Sequence, residues 1–591
     1  MFENIAKADQ EARNRTWQTG QAGAAETLFQ VPPDPVVARQ SQPGPWPGAG
    51  GVDLNALKPA EEDFIYVLGG CAELSRDAAA ALMRPLNGIA LGHRVGAAAA
   101  KLAQDRTDPI VGLKVAGTTA PESMQATVGE MLNGLRANPV LSSTPTVKSP
   151  ARSIPVLARI DTVVIGGGTG GGPAGIGAAR GGARTVVIEY LHGLGGVGTL
   201  GRISKYYHGN RVGFTAEVDQ GVIDIAAGGP VDARRGWNIE NKMEWLRSEI
   251  VKAGGDVWFQ CLGIGSLVKD NRFVGAVVAT PFGRGAILAH TVIDATGNAV
   301  LPACAGLETQ EITGEHVSVQ GTGLPPFTPG ESYKNSDWTF TDDDDVLDMW
   351  RIHVVGRKKY RGAFDTGQLI DTRARRRIVG DILVSPMDII NQRVYPDVIT
   401  ISKSNFDNHG FSSHSLFMIT PPDKRGLVGN VPYRSLLPKG QDGILVTGLG
   451  MSAHGDAMPV MRMQADVQNQ GYAAGKASAM AAEEAISVRT IDVTELQKHL
   501  VDKGVIPKSM VGAKDSYPIG PEQMNNAVKS IGRDYSGIAK VLTDPELALP
   551  LLRQAYTEAD DEAEQLRYAH VLGMLFDDTG TETLMAAVDR A

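Results

Sequence analysis

The chain has 591 residues, with 57 Lys and Arg against 66 Asp and Glu, three cysteines and 70 glycines. A net charge of −9 argues against a nucleic-acid footprint. Three scattered cysteines with no CxxC argue against an iron–sulfur cluster, a structural zinc site and a disulfide framework. The glycines exceed the usual ~7% without a collagen period, and 42% hydrophobic residues speak against disorder.

In chain order, residues 1–60 read as a polar leader and linker, with Val31–Gly51 too rich in Pro and Gly for regular structure. The polar start is unlike a secretory signal, so a cytoplasmic location is expected. No run of ~18 apolar residues is present to span a bilayer. Residues 61–157 read as a small α/β or helical region, with small-residue helices and a strand at Ile110–Val115. A strand–turn–helix–strand unit follows at 158–190, and 20 of the 70 glycines fall in 161–230. Strands are predicted at Gly263–Val268, Arg272–Thr280 and Ala286–Ala295, and one long helix of small residues at 457–484. From 494 onward the pattern predicts three to five helices, without a clean repeat.

The unit at 158–190 carries chemistry. The strand Asp161–Ile165 runs into Gly166-x-Gly168-x-x-Gly171, Gly175 follows, and a second strand, Thr185–Ile188, closes on Glu189. Gly166 allows a tight turn, Gly168 lets the backbone approach a pyrophosphate, and Gly171 and Gly175 let the helix pack on the sheet. The helix start offers N–H groups and a positive dipole end to phosphates. Glu189 is placed to accept ribose hydroxyls, and the lack of a basic residue just after it favours FAD or NAD over NADP. Three later segments suit a flavin: a second glycine loop holding Gly195 and Gly196, a strand into Thr296-Gly297, and another into Gly448.

Together, the segments 161–201, 291–297 and 443–475 resemble FAD-dependent oxidoreductases with the glutathione-reductase-like FAD fold, in particular the bacterial group named for that activity. YYHGNRVGFTAEVD (206–219), QLIDTRARRRIVGD (368–381), VPYRSLLPKGQDGILVTG (431–448) and LRYAHVLGML (566–575) carry the same resemblance. It implies an α/β chain with FAD as cofactor and a discontinuous, Rossmann-like FAD-binding domain, 158–300 plus 440–487. A mixed α+β substrate or lid domain, 301–439, would be inserted in it. Residues 488–591 read, from their helical spacing, as an all-α region that one or two stacked HEAT-like units would fit. Many relatives carry Gly-Arg after the last strand, where this chain has Gly448-Leu449-Gly450.

A flavin supplies the redox step, and protons point to histidines. The catalytic candidates are His454, ahead of the long helix, His208, after the second glycine loop, and His409, with His414, in the inserted segment. Capping, packing and solvent-exposed loops are the structural readings of the same residues. Asp456 reads equally well as an N-cap, and Arg211 as part of the pocket floor. On a helix, Arg373 and Arg377 share a face with Arg376 beside them, either to clamp an anion or to pair with Asp371 and Asp381. Asp342–Asp345 reads as a solvated loop rather than a cation site, and no metal is expected. No second GxGxxG unit exists for a separate NAD(P)H domain.

The expected function is therefore hydride transfer from a small organic substrate to flavin N5, with oxygen, a quinone or a protein as acceptor. The expected partners are a small molecule, with neither nucleic acid nor a membrane span, and a homo-oligomer is compatible with the sequence. A flavin-fold scaffold with a partner-binding helical region, or a flavin-dependent RNA-modifying enzyme, are the alternatives.

Overall fold

The computed structural model describes residues 31, 35–105, 125–130, 148, 153–201, 203–225, 236–312, 319–320, 337–338, 341, 345–359, 375–421 and 426–590. The chain forms two units, 1–118 with 147–151, and 119–146 with 152–591.

In the first unit, Pro85 starts the helix Pro85–Gln104, where its missing N–H costs nothing. The Ser75 hydroxyl accepts the Ala78 N–H to start Arg76–Leu82. Val52, Leu57, Leu82 and Leu91 are buried between these elements. Among its described residues, the Pro- and Gly-rich stretch has no helix or named strand. It is nonetheless tied down, with Val36, Arg39 and Gln42 N–H groups donating to Cys71, Lys58 and Glu73 carbonyls. The strand predicted at Ile110–Val115 lies outside the described residues.

The second unit is built on an eight-stranded sheet. Its strands are β1 (Thr127–Glu130), β2 (Val156–Ile165), β3 (Thr185–Glu189), β4 (Asp256–Phe259), β5 (Leu262–Lys269), β6 (Arg272–Thr280), β7 (Gly283–Asp294) and β14 (Ile444–Val446). Between β7 and β14 lie β8 (Thr309–Ile312), β9 (Val319–Gln320), β10 (Asp337–Trp338), β11 (Arg375–Ile378), β12 (Val398–Ser404) and β13 (Leu427–Pro432), in three two-stranded pairs. β4, β3, β2, β7 and β14 run parallel, while β6, β5 and β1 continue from β7 antiparallel. The Val163–Ile165 and Val186–Ile188 runs are buried on both faces, as central parallel strands require. β14 returns from far along the chain to pair with the last residues of β7, so the parallel sheet is discontinuous in sequence.

The helix Gly171–Arg180 covers one face of this sheet and crosses Gln464–Glu483 at backbone contact. A Cβ at Gly475 would lie 2.0 Å from the Ala174 carbonyl oxygen, which explains the small residues there. The helix predicted over 457–484 is two helices, Met458–Met461 and Gln464–Glu483, because Met463 is extended (ψ 139°) and caps the second. That break starts the longer helix at the sheet's carboxyl edge.

The arginine run also differs from the helix reading. Arg375–Ile378 is strand β11, with Arg375 opposite Ile312 and Arg377 opposite Gln310. Strand alternation therefore puts Arg375 and Arg377 on one face, and Arg373 lies outside the described residues. So do Asp342–Asp344, whereas the Asp345 carboxylate accepts the Leu347 N–H at the start of Val346–Lys359.

Beyond 494 the three to five helices expected become six. Val493–Asp502 buries Leu496 and Leu500 in the core that holds the parallel sheet. Pro521–Asp534, Ile538–Val541, Pro545–Glu558, Glu562–Met574 and Thr581–Arg590 follow. Met524, Ile531, Leu552 and Leu572 form a separate core there, which also takes in Leu416.

Candidate active site

Four loops leave the parallel strands at one edge. Strand register aligns the ends, with Ile165 opposite Ile188 and Asp294, and Asp294 opposite Val446. In open α/β sheets this carboxyl edge is where ligands bind.

The first loop is the glycine turn. Gly166 has φ +91°, and a Cβ there would lie 2.7 Å from the Ala295 carbonyl oxygen. A Cβ at Gly171 would lie 1.7 Å from the Gly166 oxygen, and one at Gly175 would lie 2.4 Å from Val187. Gly168 differs, because a Cβ there would meet nothing within 4 Å. The helix Gly171–Arg180 starts beside that open space without a side-chain cap, its Gly172 N–H donating to the Gly168 carbonyl at 3.2 Å. Glu189 is held behind the turn. Its Oε2 accepts the Gly167 N–H at 2.7 Å and its Oε1 the Leu191 N–H at 2.8 Å, and burial raises its pKa.

The other loops close on this turn. Gly195 donates its N–H to the Gly167 carbonyl (2.9 Å), and a Cβ at Gly196 would come 3.0 Å from Gly168 Cα. Thr296 donates its N–H and hydroxyl to the buried Asp294 carboxylate, beside Gly297. The Gly448 N–H donates to Gln470 Oε1 at 2.6 Å, fixing the last loop to the helix Gln464–Glu483. Apart from Gly175, inside the helix Gly171–Arg180, the cofactor residues read from the sequence thus lie in or at the edge of four adjoining loops. An open glycine, an uncapped helix start and an acid behind the turn fit the pyrophosphate and ribose of a dinucleotide.

Next to the turn lies a cavity of about 590 Å³, within the range of small-molecule sites. Thr169, Leu449 and Val467 line it from the loop side, and His208, His409 and His454 line it as well. The three candidate histidines, distant in sequence, therefore share one cavity. His454 Nδ1 accepts the Asp456 N–H at 3.1 Å, which puts the proton of the neutral ring on Nε2. His414 packs edge-on against it, 5.1 Å between ring centres. Burial holds both pKa values below the usual histidine value, and for His454 the neighbouring His414 adds to this. His409 Nε2 pairs with Asp407 Oδ1 at 2.5 Å, and Arg462 reaches the other oxygen at 3.0 Å. Arg211 pairs with Asp219 and does not line the cavity.

Some of the lining is invisible in the sequence. Gln310 and Glu311 reach the cavity only because β8 pairs with β11. Lys242 does not line the cavity but was missed as well: 2% exposed, it lies 3.7 Å from the Trp237 ring centre, its Nζ has no hydrogen bond among the described residues, and burial pulls its pKa down to about 7. Nothing in a charged, amphipathic stretch marks it. Among the described residues, no group of three or more His, Cys, Asp or Glu is arranged to hold a metal ion, and no helix is long and apolar enough to cross a membrane.

The profile of the family described as FAD dependent oxidoreductase matches residues 161–317 and 344–500. The chain belongs to the FAD dependent oxidoreductase family. It is an enzyme, and FAD is its cofactor. The resemblance carried by the glycine loops points to the same family. No curated protein matches. Among solved structures, a geranylgeranyl bacteriochlorophyll reductase-like protein from Thermoplasma acidophilum is 15% identical, over 71% of this chain and 98% of that one, with a TM-score of 0.32. The OxyS anhydrotetracycline hydroxylase from Streptomyces rimosus is 11% identical, over 70% and 75%, with a TM-score of 0.31. A 3-ketosteroid-delta4-(5alpha)-dehydrogenase from Rhodococcus jostii is 13% identical, over 55% and 97%, with a TM-score of 0.25. Likenesses this distant say nothing about the reaction of this chain.

Proposed function

We propose that this flavoenzyme oxidises a small organic substrate held in the cavity between the glycine turn and the three histidines. When bound, FAD supplies the hydride acceptor at that cavity, and oxygen, a quinone or a protein takes the electrons onward. The observation that carries this reading is the shared lining: cofactor-loop residues Thr169 and Leu449 on one side, His208, His409 and His454 on the other.

Gly166, Gly168, Gly171 and Glu189, with the loops at Gly195–Gly196, Thr296–Gly297 and Gly448, are the residues that would hold the cofactor. The inserted stretch 301–439 supplies the substrate-facing wall, through residues such as Gln310, Arg377 and Phe411. His409 takes up the proton that leaves with the hydride. The Asp407 carboxylate beside its Nε2 steadies the imidazolium that forms. His454 keeps its proton on Nε2 and donates a hydrogen bond to the substrate.

The test is anaerobic bleaching of the flavin in the purified holoprotein by sugars, alcohols, amines and hydroxy acids. One class is expected to bleach it and yield a two-electron-oxidised product. Failure of every class would count against the reading.

A further inference from the structure

The residue that points to the substrate's chemistry is Arg377. It is 4% exposed and lines the cavity, yet its guanidinium makes no hydrogen bond or ion pair among the described residues, and its Nε is buried without a partner. A buried cation left in that state is costly unless something pairs with it.

Asp456 is the acid that acts on Arg377 through space. Its Oδ2 already accepts the N–H groups of Ser413 (2.8 Å) and His414 (2.6 Å). Gly455 lies against the guanidinium, a Cβ there falling 3.7 Å from Arg377 Nη2, an ordinary contact distance. His454, whose ring faces the same charge, has Nδ1 tied to the backbone and offers Nε2–H as a second donor. His414 is tied in the same way, its Nδ1 accepting the Leu416 N–H at 3.1 Å. Around the whole cavity stand four basic and three acidic side chains, in a chain of net charge −9.

We infer that Arg377, with His454 beside it, seats the carboxylate of a small organic anion, so that the substrate is a carboxylic acid; this rests on the oxidative reading above. The planar edge of a guanidinium matches a carboxylate by two parallel hydrogen bonds. One cation with one neutral donor suits a single negative charge better than a phosphate dianion.

The experiment titrates oxidised holoprotein with succinate, glycolate and benzoate, beside their neutral amides and inorganic phosphate, following the visible flavin spectrum. At least one carboxylate is expected to perturb the spectrum saturably while its amide does not. In R377M its Kd should rise about 30-fold or more at unchanged FAD content, with R377K between the two. Equal response to amides, stronger binding of phosphate, an unchanged Kd in R377M, or FAD lost from that variant would overturn the inference. If R377M does not fold, the carboxylate–amide comparison on the wild-type protein decides alone. Reduction of the flavin by neutral substrates only, with no carboxylate response, removes the anion seat and leaves the oxidative reading standing. Carboxylate binding without reduction by any substrate does the reverse.

Discussion

Gly168 and Gly171 stand three residues apart in one turn and answer to different constraints. Gly171 is fixed by packing against the Gly166 carbonyl, whereas Gly168 faces open space. Gly168→Ala should therefore leave the stability of the apoprotein within about 0.5 kcal/mol of wild type and weaken FAD binding by roughly tenfold or more, about 1.4 kcal/mol. Gly171→Ala should destabilise the fold itself by about 1–3 kcal/mol or more. Thermal unfolding of the apoproteins and FAD titration separate the two, and a Gly168→Ala protein that binds FAD normally would contradict its role. These glycines were legible in the sequence because spacing alone reports a turn with a helix behind it. Arg377 was legible only as one of a basic run, since its isolation depends on which residues the fold brings near it.

At the level of elements, the long helix works as a tie. Asp466, 1% exposed in its first turn, accepts the N–H of Asn210 (2.6 Å) from the His208 loop and that of Lys403 (3.1 Å) from β12. Burial pushes its carboxyl up to about 7 against both bonds. An unfolded aspartate titrates near ~3.9, so between these values the folded state binds the extra proton. Stability from this group is present at low pH and lost as pH rises towards 7. The Tm difference between wild type and Asp466→Asn should shrink from pH 4.5 to 7, and a difference independent of pH would contradict the assignment. Hydrophobic periodicity foretold this helix and the β5–β6–β7 strands well. It misread the break at Met463 and the arginine strand, because a short edge strand and a short helix carry too few residues for period to decide.

Across the molecule, the C-terminal helices buttress the inserted segment. Arg393 pairs with Asp515 through two 3.0 Å bonds and with Asp388, and stacks between the Tyr395 and Tyr517 rings. The Leu416–Ile419 turn, just after His414, packs into the C-terminal core. Arg393→Ala should cost roughly 2 kcal/mol, read as a lowered Tm and faster proteolysis after residue 510, with FAD still bound. Unchanged stability would mean that the two regions are held by apolar packing alone. The discontinuous sheet was foreseen through the family resemblance, but the convergence of three histidines from three segments was not deducible from spacing.

On the proposed reading, the substrate gives up hydride and proton together in this cavity. The most direct test is the rate of anaerobic flavin reduction by the bleaching substrate in His409→Asn beside wild type, at equal FAD content. A fall of about 100-fold or more is expected, with reduction by dithionite unaffected. An unchanged rate in His409→Asn would contradict the proton-accepting role of this histidine and, with it, the proposed reaction.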